Sequence, residues 1–370
     1  MAARKEVSAF VHDAPDALGV LIANLGTPEA PTPEAVRRYL AEFLSDPRVV
    51  EFPRIPWWLI LHGIILRIRP KQVARSYASI WTPDGSPLLV TSRAQETALQ
   101  RELERRLRLP VKVALGMRYG RPSIESAMTE LRKAGCHRLL VLPLYPQYSS
   151  TTTASVFDEV MRVLSTWRWI PETRFIQHYH DHPDYIEALT DSIRHFWTKE
   201  GRPDRLLFSF HGIPKRYQRN GDPYFCECHK TARLVAERLQ LEPDRWQVAF
   251  QSRFGREEWL RPYVDETLAE WGRQGVESVH VIAPGFSADC LETLEELNIQ
   301  NRELFLKSGG QRFEYIPALN AHPAHIEALA SLVERHIGGW PEADPERTPE
   351  RDRLERLQRL ERARALGADT

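Results

Sequence analysis

Cysteine is scarce: four residues in 370, at positions 136, 226, 228 and 290. They are too few and too irregularly spaced for the disulfide framework of a secreted domain, so a reducing compartment is expected. Excess charge is missing as well. Lys+Arg and Asp+Glu both number 50, which leaves no electrostatic footprint for a nucleic-acid partner. No apolar run reaches the roughly 20 residues of a membrane-spanning helix. Neither a dinucleotide-type nor a P-loop glycine pattern occurs, which disfavours nucleotide chemistry. Gly285 and Ser287 lack the second glycine of a nucleophile elbow. Cys226, Cys228 and His229 lack a second pair at zinc-finger spacing. Residues 1–20 carry charge and no apolar stretch, so neither a signal peptide nor an anchor is expected there. A cytoplasmic protein follows, with any membrane contact peripheral and at the inner face.

What is present is a length that suits two domains and a set of ordered internal echoes. The apolar run 18–25 empties into Gly26, Thr27 and Pro28, as a buried strand would. The run 205–210 empties likewise into His211, Gly212 and Pro214, placing Gly26 and Gly212 at equivalent strand exits. A second echo pairs 113–120 with 248–255, each an apolar run ending in Arg, an aromatic and Gly. A third pairs a helix closed by Gly135 and followed by the run 139–142 with a helix closed by Gly275 and followed by 279–282. Three echoes in order predict duplicated α/β units. The predicted fold is two similar Rossmann-like domains, each a parallel sheet flanked by helices, with an active-site cleft between them. The domains are expected at 15–190 and 191–340, followed by a charged tail at 341–370 that reads as a solvated helix.

The interval from Gly26 to Arg118 is more than twice that from Gly212 to Arg253, so the first domain carries an insertion, expected at about 41–91. It contains the most apolar stretch of the chain, 52–66, with Trp57 and Trp58, flanked by Arg54 and Arg67. Two readings stay open: a buried helix, or an amphipathic lip over the cleft that touches a greasy substrate or a membrane surface.

Open α/β sheets bind ligands beyond the carboxyl ends of their strands. His211 occupies such a place, and a neutral imidazole suits proton transfer near neutrality. Asp289, Glu292, Glu296 and Gln300 fall at spacings that stack as one polar stripe on an α-helix. That stripe is either a solvated face or, beside His211, a handhold for a divalent cation. Tyr145, Gln147 and Ser149, followed by Ser150 to Thr153, form a hydroxyl-rich strand exit facing the same cleft, with a helix N-cap as the competing reading.

Taken together the motifs resemble those of the ferrochelatases, which insert Fe²⁺ into a porphyrin in the last step of haem synthesis. The segments that carry the likeness are Asn24 to Pro28, Asp84 to Pro87, Arg118-Tyr119, Tyr145 to Ser149, Ser209 to His211, Gly221 to Tyr224, Trp259-Leu260 and Asp289 to Glu292. They occur in family order over 18–337. The resemblance implies a metal chelatase of the lyase class acting in porphyrin biosynthesis, with protoporphyrin IX and Fe²⁺ as substrates. It implies that His211 and Glu292 are catalytic, that His211, Glu292 and Glu296 handle the metal, and that Leu25, Ser86, Arg118, Tyr119, Tyr145 and Trp259 bind porphyrin. Gln300 stands where the family often has a third acid. The lip that admits porphyrin maps to the Trp57-Trp58 insertion. Some members hold a [2Fe–2S] cluster on cysteines, often C-terminal; no cysteine follows Cys290, so no cofactor is expected, and a cluster would have to draw on Cys226 and Cys228. Two alternatives remain, a noncatalytic tetrapyrrole or metal binder on the same scaffold and a chelatase for another porphyrin or metal. Oligomeric state leaves no signal in the sequence.

Overall fold

A computed structural model describes residues 17–255 and 257–368. Residues 1–16, where no signal or anchor is expected and where the 15–190 interval begins, lie outside the described residues, as do the last two of the tail.

Eight strands form two parallel sheets: β1 (Ala17–Thr27), β2 (Val111–Gly120), β3 (Cys136–Pro143) and β4 (Glu172–Phe175), then β5 (Arg205–His211), β6 (Trp246–Gln251), β7 (Ser278–Ile282) and β8 (Arg312–Ile316). The orders are β2-β1-β3-β4 and β6-β5-β7-β8, one arrangement used twice. Central β1 and β5 are buried along nearly their whole length because helices cover both faces of each sheet. Each central strand ends where only glycine fits. A Cβ on Gly26, whose φ is +110°, would fall 1.7 Å from the Tyr119 carbonyl oxygen, and one on Gly212 would fall 2.9 Å from that of Gln251. The first and third echoes therefore have a physical cause in the strand exits and in the helix-closing glycines. The second is out of register. Val20 pairs with Val113, whereas its counterpart Leu206 pairs with Trp246, two residues ahead of Val248. β6 stops at Gln251, and Ser252 turns away with φ 64°, while β2 runs on through Arg118 and Tyr119.

The additional helices of the first half are Pro33–Ser45, Arg54–Ile60, a π-turn at Leu61–Ile65, and Leu66–Ile80. They begin ahead of the expected 41–91 interval, because the helix Pro87–Arg106 already precedes β2 as Tyr224–Arg238 precedes β6. The insertion is amphipathic. Trp57, Leu61, Ile65 and Leu66 pack inward against Leu40 and Leu44, while Ile55, Trp58, Leu59, Ile64 and Ile68 are exposed. In the tail, the helix Pro349–Ala365 leaves Leu354 and Leu357 exposed and buries Leu360.

The last helix of each half crosses over. Pro183–Glu200 follows β4 but packs on Tyr224–Arg238 and β8, and Pro323–His336 follows β8 but packs on Pro87–Arg106 and β3. Residue 190, the expected boundary, falls inside the first of these helices. One hydrophobic core consequently runs through both halves, joining Leu18, Val20 and Leu99 to Phe208, Val248 and Leu329.

Asp46 anchors the insertion. It caps the helix Pro33–Ser45 and its buried carboxylate accepts from the Arg48 backbone N–H at 2.7 Å, Arg118 Nη2 at 2.6 Å, Tyr119 Oη at 2.8 Å and Ser155 Oγ at 2.6 Å. Burial pushes this carboxyl up, but the donors from Ser155, Arg48, Tyr119 and Arg118 outweigh it and hold it below its usual range. Its stabilisation is therefore present above the unfolded-state value and is lost as pH falls through the lower native one. Asp46→Ala should reduce the unfolding free energy at pH 7 by about 3 kcal/mol, since it strands a buried cation. Urea titration measures this, and the gap to wild type should narrow in acid; an unchanged midpoint at pH 7 would show that the anchor is dispensable.

Candidate active site

A cavity of about 630 Å³ lies between the carboxyl ends of the two sheets, within the size range of a cofactor-scale pocket. Leu25, Ser86 and Tyr145 reach it from the first half, His211, Trp259, Glu292 and Glu296 from the second, and Trp57, Arg69 and Tyr77 from the insertion. Leu25 and His211 are the residues immediately before the two obligatory glycines, so the same strand exit presents an aliphatic group in one half and an imidazole in the other.

His211 Nδ1 lies 2.6 Å from the Gly212 carbonyl oxygen. A carbonyl only accepts, so Nδ1 carries a proton, and in the neutral ring the lone pair then belongs to Nε2. The Trp259 ring stands 6.4 Å from the imidazole, and its buried Nε1 has no hydrogen-bond partner in the protein.

The acidic stripe is wound differently from the α-helix the spacing predicts. Glu292–Asn301 is a π-helix over all 10 residues, and its wider turn keeps residues four apart in line, so that Glu292, Glu296 and Gln300 all border the cavity. Asp289 does not belong to the stripe. It precedes the helix and is spent on structure, accepting from Thr293 Oγ1, Tyr315 Oη and Asn320 Nδ2 at 3.0, 2.8 and 2.8 Å. Gln300 folds back to donate to both oxygens of Glu295 at 2.8 and 2.9 Å, and Ser76 of the insertion reaches the same Glu295 at 3.3 Å.

Glu296 accepts from the Ser252 backbone N–H at 2.8 Å, the Ser252 hydroxyl and Gln251 Nε2 at 3.2 Å. Burial raises its carboxyl above the usual range; the Ser252 hydrogen bond and His211 oppose this, and the charge of Glu292 adds to it. Gln251 also donates to the Glu292 carbonyl at 3.0 Å and accepts from Ser209 Oγ at 2.6 Å.

Arg118 and Tyr119 do not join the cavity. Because β2 continues past the level at which β6 stops, both side chains turn to Asp46 and Ser155. The exit after β3 does face the cavity through Tyr145, Gln147, Thr151 and Thr152, and Ser149 also caps the turn that follows by accepting from the Thr151 N–H, so both readings of that segment hold. Gln251, Ser252 and Tyr77 escape the motif reading. A glutamine closing the buried run Val248, Ala249 and Phe250 is a polar signal of the kind that could have found Gln251. Tyr77 carries no comparable signal. The four thiols lie apart: Cys136, Cys228 and Cys290 are buried in three separate clusters and Cys226 is exposed. On one helix, positions two apart face different sides, so these cysteines do not fit a [2Fe–2S] cluster.

The family described as Ferrochelatase matches residues 17–337. The ferrochelatase of Nitrosococcus oceani is 60% identical over 364 residues, covering 98% of this chain and 99% of that one. The ferrochelatase of Thioalkalivibrio sulfidiphilus is 55% identical over 362 residues, 97% of each. Among solved structures, the multi-domain protein DR2241 from Deinococcus radiodurans, described as structurally similar to chelatases, superimposes with a TM-score of 0.50 at 14% identity over 91% of this chain and 56% of its own. That likeness speaks to the fold alone.

A carboxyl raised by burial favours folding below its unfolded-state pKa, and that contribution is lost as pH rises through the native value. Wild-type protein should therefore lose stability relative to Glu296→Gln between pH 4 and pH 7, so that the variant is the more stable at neutrality. Urea midpoints of the two proteins at both pH values test this; parallel curves would mean that Glu296 is ionised without penalty.

Proposed function

The chain belongs to the ferrochelatase family, and we propose that it carries out the family's reaction, insertion of Fe²⁺ into protoporphyrin IX with release of two protons to give protohaem, through His211, Glu292 and Glu296. The observation that carries this reading is an imidazole, anchored through Nδ1, that shares one cavity with a line of acidic side chains.

Metalation makes three demands. The macrocycle must bend to expose its nitrogen lone pairs, two pyrrole protons must leave, and Fe²⁺ must shed water. The cavity walls come from halves that share one core, so binding energy at the ring's apolar edges is spent on bending the ring rather than on moving the walls. His211 Nε2 accepts a pyrrole proton. Glu292 and Glu296 replace water around the cation, hard oxygen ligands suiting Fe²⁺. As the iron passes into the ring, Glu296, whose carboxyl is raised by burial, accepts the second pyrrole proton. Iron is substrate here, and the scheme uses no resident cofactor.

The reading extends to the insertion. Among the described residues, no helix is long and apolar enough to cross a membrane. Yet Ile55, Trp58, Leu59, Ile64 and Ile68 are exposed on one element that also carries Arg54, Arg67, Arg69, Lys71 and Arg75 and, from Phe52 to Tyr77, no acid. An apolar face with a cationic fringe suits the surface of an anionic bilayer. On this reading the protein works as a peripheral protein at the inner face of the membrane, and an apolar porphyrin passes to the cavity along the lip.

Anaerobic loss of protoporphyrin fluorescence on addition of Fe²⁺ should follow turnover in the wild type. His211→Ala and Glu292→Ala should each slow it by about 100-fold or more, the scale of general-base catalysis, with porphyrin affinity largely kept. Wild-type rates in His211→Ala would overturn the catalytic assignment, and porphyrin binding without metalation in all three proteins would make this a binder instead. For the lip, Ile55→Ser with Ile68→Ser should weaken binding to phosphatidylglycerol vesicles by roughly tenfold or more, from two lost apolar contacts. Equal sedimentation of variant and wild type with those vesicles would remove the membrane contact.

A further inference from the structure

Behind the 145–152 wall of the cavity lies a second group of ligand-type side chains, none of which borders the cavity itself. Glu227, buried on the helix Tyr224–Arg238, turns its two carboxylate oxygens to two histidines of the segment that follows β4. Oε1 is 2.7 Å from His178 Nδ1 and Oε2 is 3.2 Å from His180 Nδ1, and the two rings stand 4.9 Å apart. The remaining donor to Glu227 is the Tyr148 backbone N–H at 2.7 Å. Lysine 230, the nearby cation, is already paired with Asp181 at 2.5 Å.

His180 is 5% exposed, and its Nδ1 makes no hydrogen bond despite its closeness to Oε2. The contact lacks the alignment of a shared proton. A buried carboxylate answered by two imidazoles and a single backbone N–H is expensive unless a cation is shared among them. Two imidazole nitrogens and a carboxylate oxygen, all within 4.8 Å of one another, are the donor set of first-row divalent ions, with nitrogen and oxygen ligands at about 2.0–2.2 Å. The His178 side chain is 46% exposed, which gives an ion access from solvent and leaves coordination positions for water.

We propose that His178, His180 and Glu227 form a second site for a divalent transition ion of the Fe²⁺ and Zn²⁺ class, separate from the catalytic cavity. The site is tied to the cavity wall. Thr231, one turn beyond Glu227, donates to the His180 carbonyl at 2.8 Å and accepts from Gln147 Nε2 at 2.9 Å, and Gln147 lines the cavity. An ion held here braces the wall from behind. The site stands on its own residues and does not depend on the roles given to His211 and Glu292.

The test uses Co²⁺ as probe, in full-length protein carrying His211→Ala, Glu292→Ala and Glu296→Gln so that the cavity ligands are disabled. Equilibrium dialysis and visible d–d absorption should report one Co²⁺ per chain, with nitrogen-ligated bands. Adding His178→Ala, which alters a half-exposed side chain, should weaken binding by about tenfold or more, and adding Glu227→Gln should abolish it with the far-ultraviolet circular dichroism unchanged. Should Glu227→Gln fail to fold, His178→Ala alone decides. No Co²⁺ retained in the cavity-disabled protein, or equal retention with His178→Ala, would overturn the proposal.

Discussion

The side-chain amide of Gln251 connects three elements that must keep a fixed spacing. Its oxygen accepts from Ser209 on β5, which orients the amide so that its nitrogen points to the π-helix, where it meets both the Glu292 carbonyl and the Glu296 carboxylate. Gln251 itself closes β6 and pairs in the ladder with His211. The imidazole and the acidic stripe thus answer to one residue, which is 3% exposed and held at both ends. A π-helix of this length needs such outside support, because its ladder is intrinsically poor. Support also comes from Asn301, which donates to the Glu296 carbonyl at 2.9 Å, and from Ser252, whose left-handed turn points its N–H and hydroxyl at Glu296.

Duplication explains why the cavity has two unlike walls. The same parallel order and the same glycine-limited strand exits occur in both halves, so each delivers one side chain to the same place: Leu25 from the first and His211 from the second. The halves then part at the neighbouring strand. β2 runs on and commits Arg118 and Tyr119 to Asp46, which pins the insertion; β6 stops short and frees Gln251 and Ser252 for the acids. One half thereby brings the insertion and Leu25 to the cavity, and the other brings the imidazole and the acidic stripe. The crossed terminal helices keep the two walls in one core.

What was legible in the sequence was whatever is set locally or repeated. Strand exits, helix-closing glycines and the place of His211 follow from patterns a few residues long. The rest depends on partners remote in the chain. Whether 292–301 winds as α or π turns on bonds from Ser252 and Gln251, some forty residues upstream in the sequence, and the four-residue spacing of the acids suits either winding. Asp289 reads as part of that stripe until Tyr315 and Asn320 are seen to claim it. Arg118 reads as a cleft residue until Asp46 is brought beside it by the insertion. The helix crossover has no local signal, since Pro183–Glu200 would be amphipathic against either sheet.

Charge bookkeeping joins these features to the reaction. Insertion exchanges two protons for one doubly charged ion, so the porphyrin ring itself ends as neutral as it began, and the cavity must take up both protons. In the proposed mechanism the His211 imidazole supplies one acceptor, and a carboxylate of the stripe supplies the other. Burial and the neighbouring Glu292 charge raise the Glu296 carboxyl, so a second charge on the stripe is costly while no cation is near. A cation beside the stripe offsets that cost. A stripe that held Fe²⁺ more tightly before porphyrin arrived would release it into the ring less readily, and the penalty that burial places on the Glu296 charge limits that hold.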